Sequence, residues 1–445
     1  MRWLIVMLIG VIAALAIFSV QLSLGPGLSA KNAVLYALLF GLMFRSALRG
    51  LPALELPGLH LVFGIWVAYA IASWLIAALV IKYPHYELIL NGMTVKSEML
   101  DNLLYFAGAF HALNDERDVR TVMKALAAAL GIANIATLAD VAGIIHLGTN
   151  IGTSGAEEGR VFGVFGHAND TAALIVALLP VSIAVALESR GIRRAMWAAG
   201  AIASLAVMLL TVSRGSYVGI VVGSAWAAWL CRRFVPLQKI AMWAFGGLIA
   251  MVVSVFLGAL AIPGAAKMIS ERLTGGGINA DEMSSGRTGL WKQVVELMWE
   301  QPITLLTGYG WDVYWVMPFR YATHNIYLYQ WFNLGLVGLI CFIMLITIGV
   351  KRALRAASQE HSVLRDHHTA FVFGMLGLAV SVFFVNLEGQ WPLVWIYFGV
   401  AMRATQIDLV RVPTTSKVQE PVIRPTLPVR PQPGMGGRLV GTQLR

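Results

Sequence analysis

Apolar runs long enough to cross a lipid bilayer recur along almost the whole chain. Of 445 residues, 58% are hydrophobic and only 13% are charged, and the mean hydropathy is +0.73. A soluble core does not need so much apolar surface, whereas one bilayer-crossing helix takes ~20 apolar residues. We therefore predict an all-α integral membrane protein with about twelve transmembrane helices, in the windows 3–20, 32–48, 59–81, 96–112, 121–146, 168–188, 195–212, 216–231, 238–262, 325–350, 368–387 and 391–406.

Two of these windows have alternative interpretations. The window 96–112 carries Glu98 and Asp101 in its first turns, which weakens it as a span. The first window follows Met1-Arg2 and could instead be a cleaved signal peptide, with Leu-Ser-Ala at 28–30 as the cleavage site. A membrane helix is favoured there, because the later spans need no signal peptide to enter the membrane.

The distribution of basic residues predicts the orientation. With the N-terminus in the cytoplasm, most of the 33 lysines and arginines fall on inner connections or on the C-terminal tail, as positive-inside topology requires. Both termini are then cytoplasmic. The formal charge of +10 is explained by this orientation, so membrane lipids are expected partners and nucleic acid is not.

Polar composition divides the chain into four parts. Residues 1–262 hold the first nine spans with short loops, and residues 324–410 hold the last three. Between them, residues 263–323 form a polar connection on the outer side, and connections of this length are usually functional. Residues 411–445 are rich in proline and glycine and predict a disordered cytoplasmic tail.

The long outer connection contains a predicted amphipathic helix in the sequence SSGRTGLWKQVVELMWEQP. Ser284 or Ser285 can cap it, and Pro302 ends it. Its apolar positions recur at spacings of three and four, at Leu290, Trp291, Val294, Val295 and Met298. We expect this helix to lie along the membrane surface.

His324 opens the tenth predicted span within YATHNIYLYQ. At the N-cap or in the first turn of a helix, the helix dipole disfavours the imidazolium and lowers the pKa. A neutral imidazole can accept a proton from a hydroxyl, so His324 is a candidate general base. The alternative is a histidine that only caps its helix and bonds Thr323 or Asn325.

Three outer arginines are candidate anion ligands. Arg214 lies in the tight turn 213–216, where it could merely snorkel, but Gly215 beside it would suit close approach of a ligand. Arg287 begins the amphipathic helix, where free N–H groups favour an anion, and could also be simply solvated. Arg160 lies in a predicted loop, and it could likewise either bind an anion or be simply solvated.

A metal centre is not predicted. His167, Asp170 and His324 could be combined as ligands, but none of them has helical metal-ligand spacing. Cys231 and Cys341 fall within or at the end of apolar spans and predict neither a disulfide nor a thiolate site.

Four motifs on the predicted outer side resemble those of the O-antigen ligase and polymerase family. They are SRGS at 213–216, SSGR at 284–287, THNIYLYQWFNLGLVGL at 323–339 and RVFGVFGHANDTA at 160–172. Because the four motifs occur in this order and on one predicted side of the membrane, together they indicate the family more specifically than any one motif does. The resemblance covers roughly residues 150–350.

The resemblance implies a GT-C-like fold with a large helical periplasmic loop, and a glycosyltransferase that needs no metal or cofactor. Such an enzyme moves a glycan from undecaprenyl pyrophosphate, in the bacterial inner membrane, to an acceptor hydroxyl with inversion. His324 would be the base, and Arg214 and Arg287 would bind the pyrophosphate with help from Arg160. His167 and Asn325 are the further substrate-binding candidates.

Within this resemblance, we predict a ligase. Polymerases of the family often place a glycine at a fixed distance after an outer-loop arginine, and this chain does not do so after Arg160, Arg214 or Arg287. Protein-glycosylating relatives tend to carry an extra soluble domain after the last span, where this sequence predicts only a short disordered tail. We therefore expect lipid A–core oligosaccharide, rather than a protein, to be the acceptor. The alternatives are an O-antigen polymerase and a transporter of lipid-linked glycan, which would need charges deep within the spans.

Overall fold

The computed structural model describes residues 2–17, 23–25, 28–49, 58–147, 160–236, 238, 252–253, 287–319, 323–387 and 391–410. Helices dominate this part of the chain, in the order α1 (Arg2–Ile17), α2 (Ala30–Arg49), α3 (Leu59–Leu75), α4 (Leu88–Val95), α5 (Asp101–Ala112), α6 (Glu116–Val141), α7 (Ala168–Glu188), α8 (Gly191–Leu210), α9 (Arg214–Cys231), α10 (Arg287–Glu300), α11 (Ile303–Thr307), α12 (Ile326–Ala357), α13 (Arg365–Ser381) and α14 (Trp391–Val410). Shorter elements are the π-helical turns Ile76–Ile81 and Lys96–Leu100, the 3-10 turn Val313–Val316, and an antiparallel pair of strands, β1 (Ser23–Gly25) and β2 (Leu28–Ser29).

Every predicted window other than 238–262 overlaps one of these helices over most of its length. Counted over the described residues, seven helices are long and apolar enough to cross a membrane, and α1 is a shorter apolar helix. Large apolar side chains on the outside of the bundle, such as Phe40 and Ile89, are more than two-thirds exposed, which suits contact with lipid rather than water. The chain is thus helical throughout its long elements, as expected of an integral membrane protein.

The helices pack around α7 and α14. In each of these two, 72% of the apolar window is buried, against 17% in α2 at the periphery. Helix α13 packs against α9, α7 and α12, and α14 packs against α5, α6 and α12. The ends of these central helices therefore meet at the two ends of one bundle.

Local chemistry explains where the predicted boundaries shift. The fifth window was placed at 121–146, but α6 begins at Glu116 because the Asp115 carboxylate caps it, accepting from the N–H groups of Arg117 and Asp118 at 2.9 Å. One of the two carboxylates that weaken the window 96–112 as a span, that of Asp101, is compensated. Lys96 forms a 2.8 Å ion pair with Asp101 beside the π-helical turn.

Helix α12 is broken at Gly335, where φ is 60° and ψ is −161°. The break frees main-chain carbonyls, and the outer connection uses them. Tyr309 N donates to Phe332 O at 2.8 Å, and Gly310 N donates to Asn333 O at 3.1 Å. A side chain at Gly335 would collide with the end of α11, so the outer connection is fixed to the bundle at this glycine.

Several predictions lie outside the described residues. These are the span 238–262 apart from isolated residues, the capping serines Ser284 and Ser285, and the tail 411–445. Of the predicted amphipathic helix, α10 is present over Arg287–Glu300 and ends before Pro302. Val294 and Met298 on its predicted apolar face are fully buried.

Candidate functional site

The turn between α8 and α9 positions Arg214. Val212 takes φ of 50°, a conformation that is costly for a β-branched residue and is found where function or packing demands it. Ser213 precedes α9, and its hydroxyl lies 3.2 Å from that of Ser216. Arg214 is then the first residue of α9 and is half-buried at this end of the bundle.

Arg160 is hydrogen-bonded to the same turn. Its side chain is 4% exposed, its Nε donates to Thr211 O at 2.8 Å, and one terminal nitrogen donates to Asn169 Oδ1 at 2.7 Å. Asn169 is in the first turn of α7. Arg160 thereby ties the start of α7 to the turn that carries Arg214.

Phe384, which follows α13, joins Arg214's helix to Arg287. The Arg287 guanidinium donates to Phe384 O at 2.7 Å. The Phe384 side chain fills the space beside Gly215, where a Cβ would collide with it. The prediction that Gly215 leaves room for a ligand is therefore wrong, because this glycine makes room for Phe384.

His324 is held at the start of α12 by its neighbours. Asn325, and not His324, is the N-cap, since its Oδ1 accepts from Tyr327 N at 3.0 Å and Leu328 N at 3.1 Å. His324 is one residue earlier with φ of 48°. The prediction that His324 occupies the N-cap or the first turn is therefore wrong, because His324 precedes the N-cap residue.

Contacts on both sides fix the loop that carries His324. Trp291 Nε1 of α10 donates to Thr323 O at 2.8 Å. Ile326 N donates to Val382 O at 2.9 Å, at the end of α13. The imidazole is consequently placed between the start of α10 and the end of α13.

Burial and positive charge keep the His324 imidazole neutral. Burial contributes most to lowering its pKa from 6.5 to about 4, followed by the charges of Arg287 and His167. The direction agrees with the prediction, but the leading cause is desolvation. At neutral pH, His324 is therefore unprotonated and able to accept a proton.

His167 immediately precedes α7 and stacks on Phe162, with ring centroids 6.3 Å apart. Its Nδ1 lies 3.8 Å from Asp170 Oδ1. Among the described residues, no group of three or more His, Cys, Asp or Glu side chains is arranged to hold a metal ion. His167, Asp170 and His324 therefore do not form the metal site considered from the sequence.

The structure brings the predicted residues to one end of the bundle. This end is made by the starts of α7, α9, α10 and α12 and by the ends of α8 and α13. Arg287 and His167 lie close enough to His324 to lower its pKa, and Arg287 and Gly215 share Phe384 as a neighbour. Arg160 adjoins Arg214 through the α8–α9 turn.

The packing that builds this end is not among the features predicted from the sequence. Gly215, Gly219 and Gly223 form one face of α9, and a Cβ at either of the last two would collide with α13. Their four-residue spacing is the pattern that lets membrane helices approach closely, and it could have predicted the α9–α13 contact. No sequence pattern predicts the contact between Arg287 and Phe384, because Arg287 donates to the main-chain carbonyl of Phe384.

Comparison with known proteins gives one finding for this region. Residues 198–343 match the family model described as O-Antigen ligase, a segment that runs from α8 into α12 and includes Arg214, Arg287, His324 and Asn325. No curated protein matches the chain. The match supports an activity of the O-antigen ligase or polymerase type, in lipopolysaccharide biosynthesis. The resemblance to the O-antigen ligase family is thereby confirmed, through a domain at residues 198–343.

Proposed function

We propose that this protein transfers O-antigen glycan from undecaprenyl pyrophosphate to lipid A–core oligosaccharide at the periplasmic face of the bacterial inner membrane. The observation that carries the proposal is the convergence of a neutral histidine and arginines at one end of a helical bundle. A transfer from a lipid pyrophosphate requires both groups, one for the acceptor proton and the other for the leaving anion.

In the proposed reaction, the acceptor hydroxyl oxygen attacks the anomeric carbon of the glycan, and His324 takes the hydroxyl proton. The bond from the anomeric carbon to the pyrophosphate oxygen breaks, and its electron pair stays on that oxygen. Direct attack from the opposite side inverts the anomeric configuration. Positioned proton transfer of this kind contributes about 10²–10⁴-fold to rate.

Arg214 and Arg287 would bind the leaving pyrophosphate, whose negative charge grows as the bond breaks. Guanidinium groups bind phosphate oxygens in pairs of hydrogen bonds, and these are stronger where water is excluded. The buried Arg160 supports the site by holding the turn of Arg214. Asn325 supports it by capping α12 directly after His324, and His167 would line the substrate side.

The proposed fold is GT-C-like, with twelve spans and both termini in the cytoplasm, and 263–323 as a periplasmic loop. Support comes from the helices found in all the predicted windows but 238–262. In the proposed topology, with helices of alternating direction, the starts of α7, α9 and α12 would lie on the outer side. No metal or cofactor enters the proposed reaction.

The test is a transfer assay with purified full-length protein in detergent and chelator. The substrates are undecaprenyl-pyrophosphate-linked glycan and lipid A–core, and the products are resolved on a gel. We expect glycan on lipid A–core. Lengthened donor would instead indicate a polymerase, and untouched donor that crosses a reconstituted membrane would indicate a transporter.

A matched pair of variants on α9 tests the site within the same assay. Arg214→Gln should lower the rate by roughly a hundredfold, as removal of one transition-state contact does. Arg232→Gln is the control, since Arg232 is exposed just past the opposite end of the same helix. Equal effects of the two substitutions would contradict a phosphate-binding role for Arg214.

A further inference from the structure

A small cavity with mixed polar and aromatic walls lies next to the candidate site. Its polar lining consists of Glu98, Asn102, Gln330 and Asn386. Its aromatic lining includes the indole rings of Trp66, Trp311, Trp391 and Trp395. Few polar groups set among aromatic walls are typical of a pocket that orients a small ligand.

The cavity adjoins the candidate site on two elements. Ile326 lines it and follows His324 by two residues on α12. Asn386 lines it from the connection that follows α13, two residues after Phe384, whose carbonyl accepts from Arg287. A group bound in the cavity would therefore extend towards His324 and Arg287.

The amides of the cavity have unused hydrogen-bonding capacity. Asn386 is 4% exposed, and neither its Nδ2 nor its Oδ1 has a hydrogen-bond partner. Asn102 is 2% exposed, and its Oδ1 is also without a partner. Buried polar groups are nearly always paired, since leaving one unpaired costs about 1–3 kcal/mol. These amides are thus suited to a ligand with hydroxyl groups.

The size of the cavity limits what enters it. Its volume is about 20 Å³, which is enough for roughly one water molecule. A hydroxyl or hydroxymethyl group fits this space, whereas a whole sugar ring does not. Trp391 and Glu98 are partly exposed at the cavity, and a ring could rest there with its apolar face on the indole.

We propose that this cavity is a sugar subsite, which holds one hydroxyl-bearing arm of a substrate sugar while its ring lies against Trp391. The inference rests on the proposed function and deepens it by naming the residues that bind carbohydrate. A subsite built to pair a hydroxyl discriminates strongly against a sugar that lacks it, because the buried amides are then left unpaired.

The experiment measures binding without turnover, by ligand-observed NMR on full-length His324→Gln protein in detergent. The two probes are core oligosaccharide freed from lipid A and O-antigen glycan freed from its lipid. We expect saturable binding of one of them, and at least tenfold weaker binding in a second variant that adds Asn386→Leu. The probe that binds shows whether the subsite serves the acceptor or the donor.

Asn333→Leu is the matched control in the same background. Asn333 is fully buried, and its side-chain amide also lacks a partner, but it does not line the cavity. Asn386→Leu removes no protein hydrogen bond, so its unfolding temperature should not fall. Should it still fail to fold, Glu98→Gln carries the same test.

Binding that is unchanged by Asn386→Leu, or equally reduced by Asn333→Leu, would overturn the subsite, as would binding of neither probe. A protein that binds a probe at this cavity but transfers no glycan would retain the subsite and refute the transferase. The two proposals can therefore fail separately.

Discussion

At one end of the bundle, His367 and His368 each face a carboxylate, whereas at the other end His324 is influenced by Arg287 and His167. His367 Nε2 lies 3.2 Å from Glu188 Oε1, and His368 Nε2 lies 3.0 Å from Asp408 Oδ2. A carboxylate close to an imidazole holds it in place, whereas burial, together with a neighbouring guanidinium, keeps His324 neutral and available. Similar residues thus form a structural clamp at one end and a candidate base at the other.

The clamp joins four helices. Glu188 at the end of α7 also binds Arg120 of α6 at 2.7 Å. Asp408 is near the end of α14. It also accepts a 2.7 Å hydrogen bond from the hydroxyl of Ser362, which precedes α13. Both histidines of α13 are 1% exposed. This end is closed by an ion pair and by carboxylates that face buried histidines, so its contribution should be to stability.

The largest expected difference between the two ends is in the rate of transfer. His324→Gln should lower the rate by about 10²–10⁴-fold, because a positioned base is lost, and should leave the unfolding temperature unchanged. His368→Gln should lower the unfolding temperature and preserve the rate per folded molecule. Initial rates and thermal unfolding, measured on both variants, check this. A His324→Gln variant with normal transfer would refute the role of base.

Removing the carboxylate from the clamp tests how much the clamp stabilises its end of the bundle. Asp408→Ala leaves His368 and Ser362 without their shared acceptor, and a buried polar group left unpaired costs about 1–3 kcal/mol. We expect a lower unfolding temperature, with unchanged transfer by the protein that remains folded. Glu360→Ala is the control, since Glu360 is exposed near the same end. Equal stability of the two variants would contradict the clamp.

The smallest expected effect is a shift of the pH–rate profile. Because the pKa of His324 is lowered to about 4, kcat/KM should stay level from pH 7 to about 5 and fall as the pH approaches 4. Arg287→Gln removes a charge that lowers this pKa, so the fall should move to higher pH. Arg120→Gln, at the clamp, should not move it. A wild-type profile that falls near pH 6.5 would contradict the neutral, buried state of His324.

Hydropathy predicted the helices well, because the bilayer requires each span to satisfy its own backbone hydrogen bonds. Side-chain type and the predicted topology also singled out Arg160, Arg214, Arg287 and His324 and assigned them to one side of the membrane, but they did not predict that these residues converge. What could not be predicted depends on contacts between distant segments. The carbonyl of Phe384 that accepts from Arg287 has no side-chain signature.

The same reason explains the corrections at individual residues. Gly215 was interpreted from its own turn, but its small size serves Phe384, which is far away in sequence. Asn325 and His324 are both able to cap a helix, and only the backbone conformation decides that Asn325 does so. The sequence does not predict the clamp, because Glu188 and Asp408 are distant in sequence from the histidines that they face.

The break at Gly335 has a consequence for how the protein is made. A membrane helix with freed carbonyls cannot rest in lipid until other donors satisfy them. The donors to Phe332 O and Asn333 O are Tyr309 N, Gly310 N and the Ser73 hydroxyl, and all of them precede α12 in the chain. The ribosome therefore synthesises these donors first, so the carbonyls freed at Gly335 can be paired as α12 enters the bilayer, whereas the N–H of Ile326 pairs only after Val382 has been made.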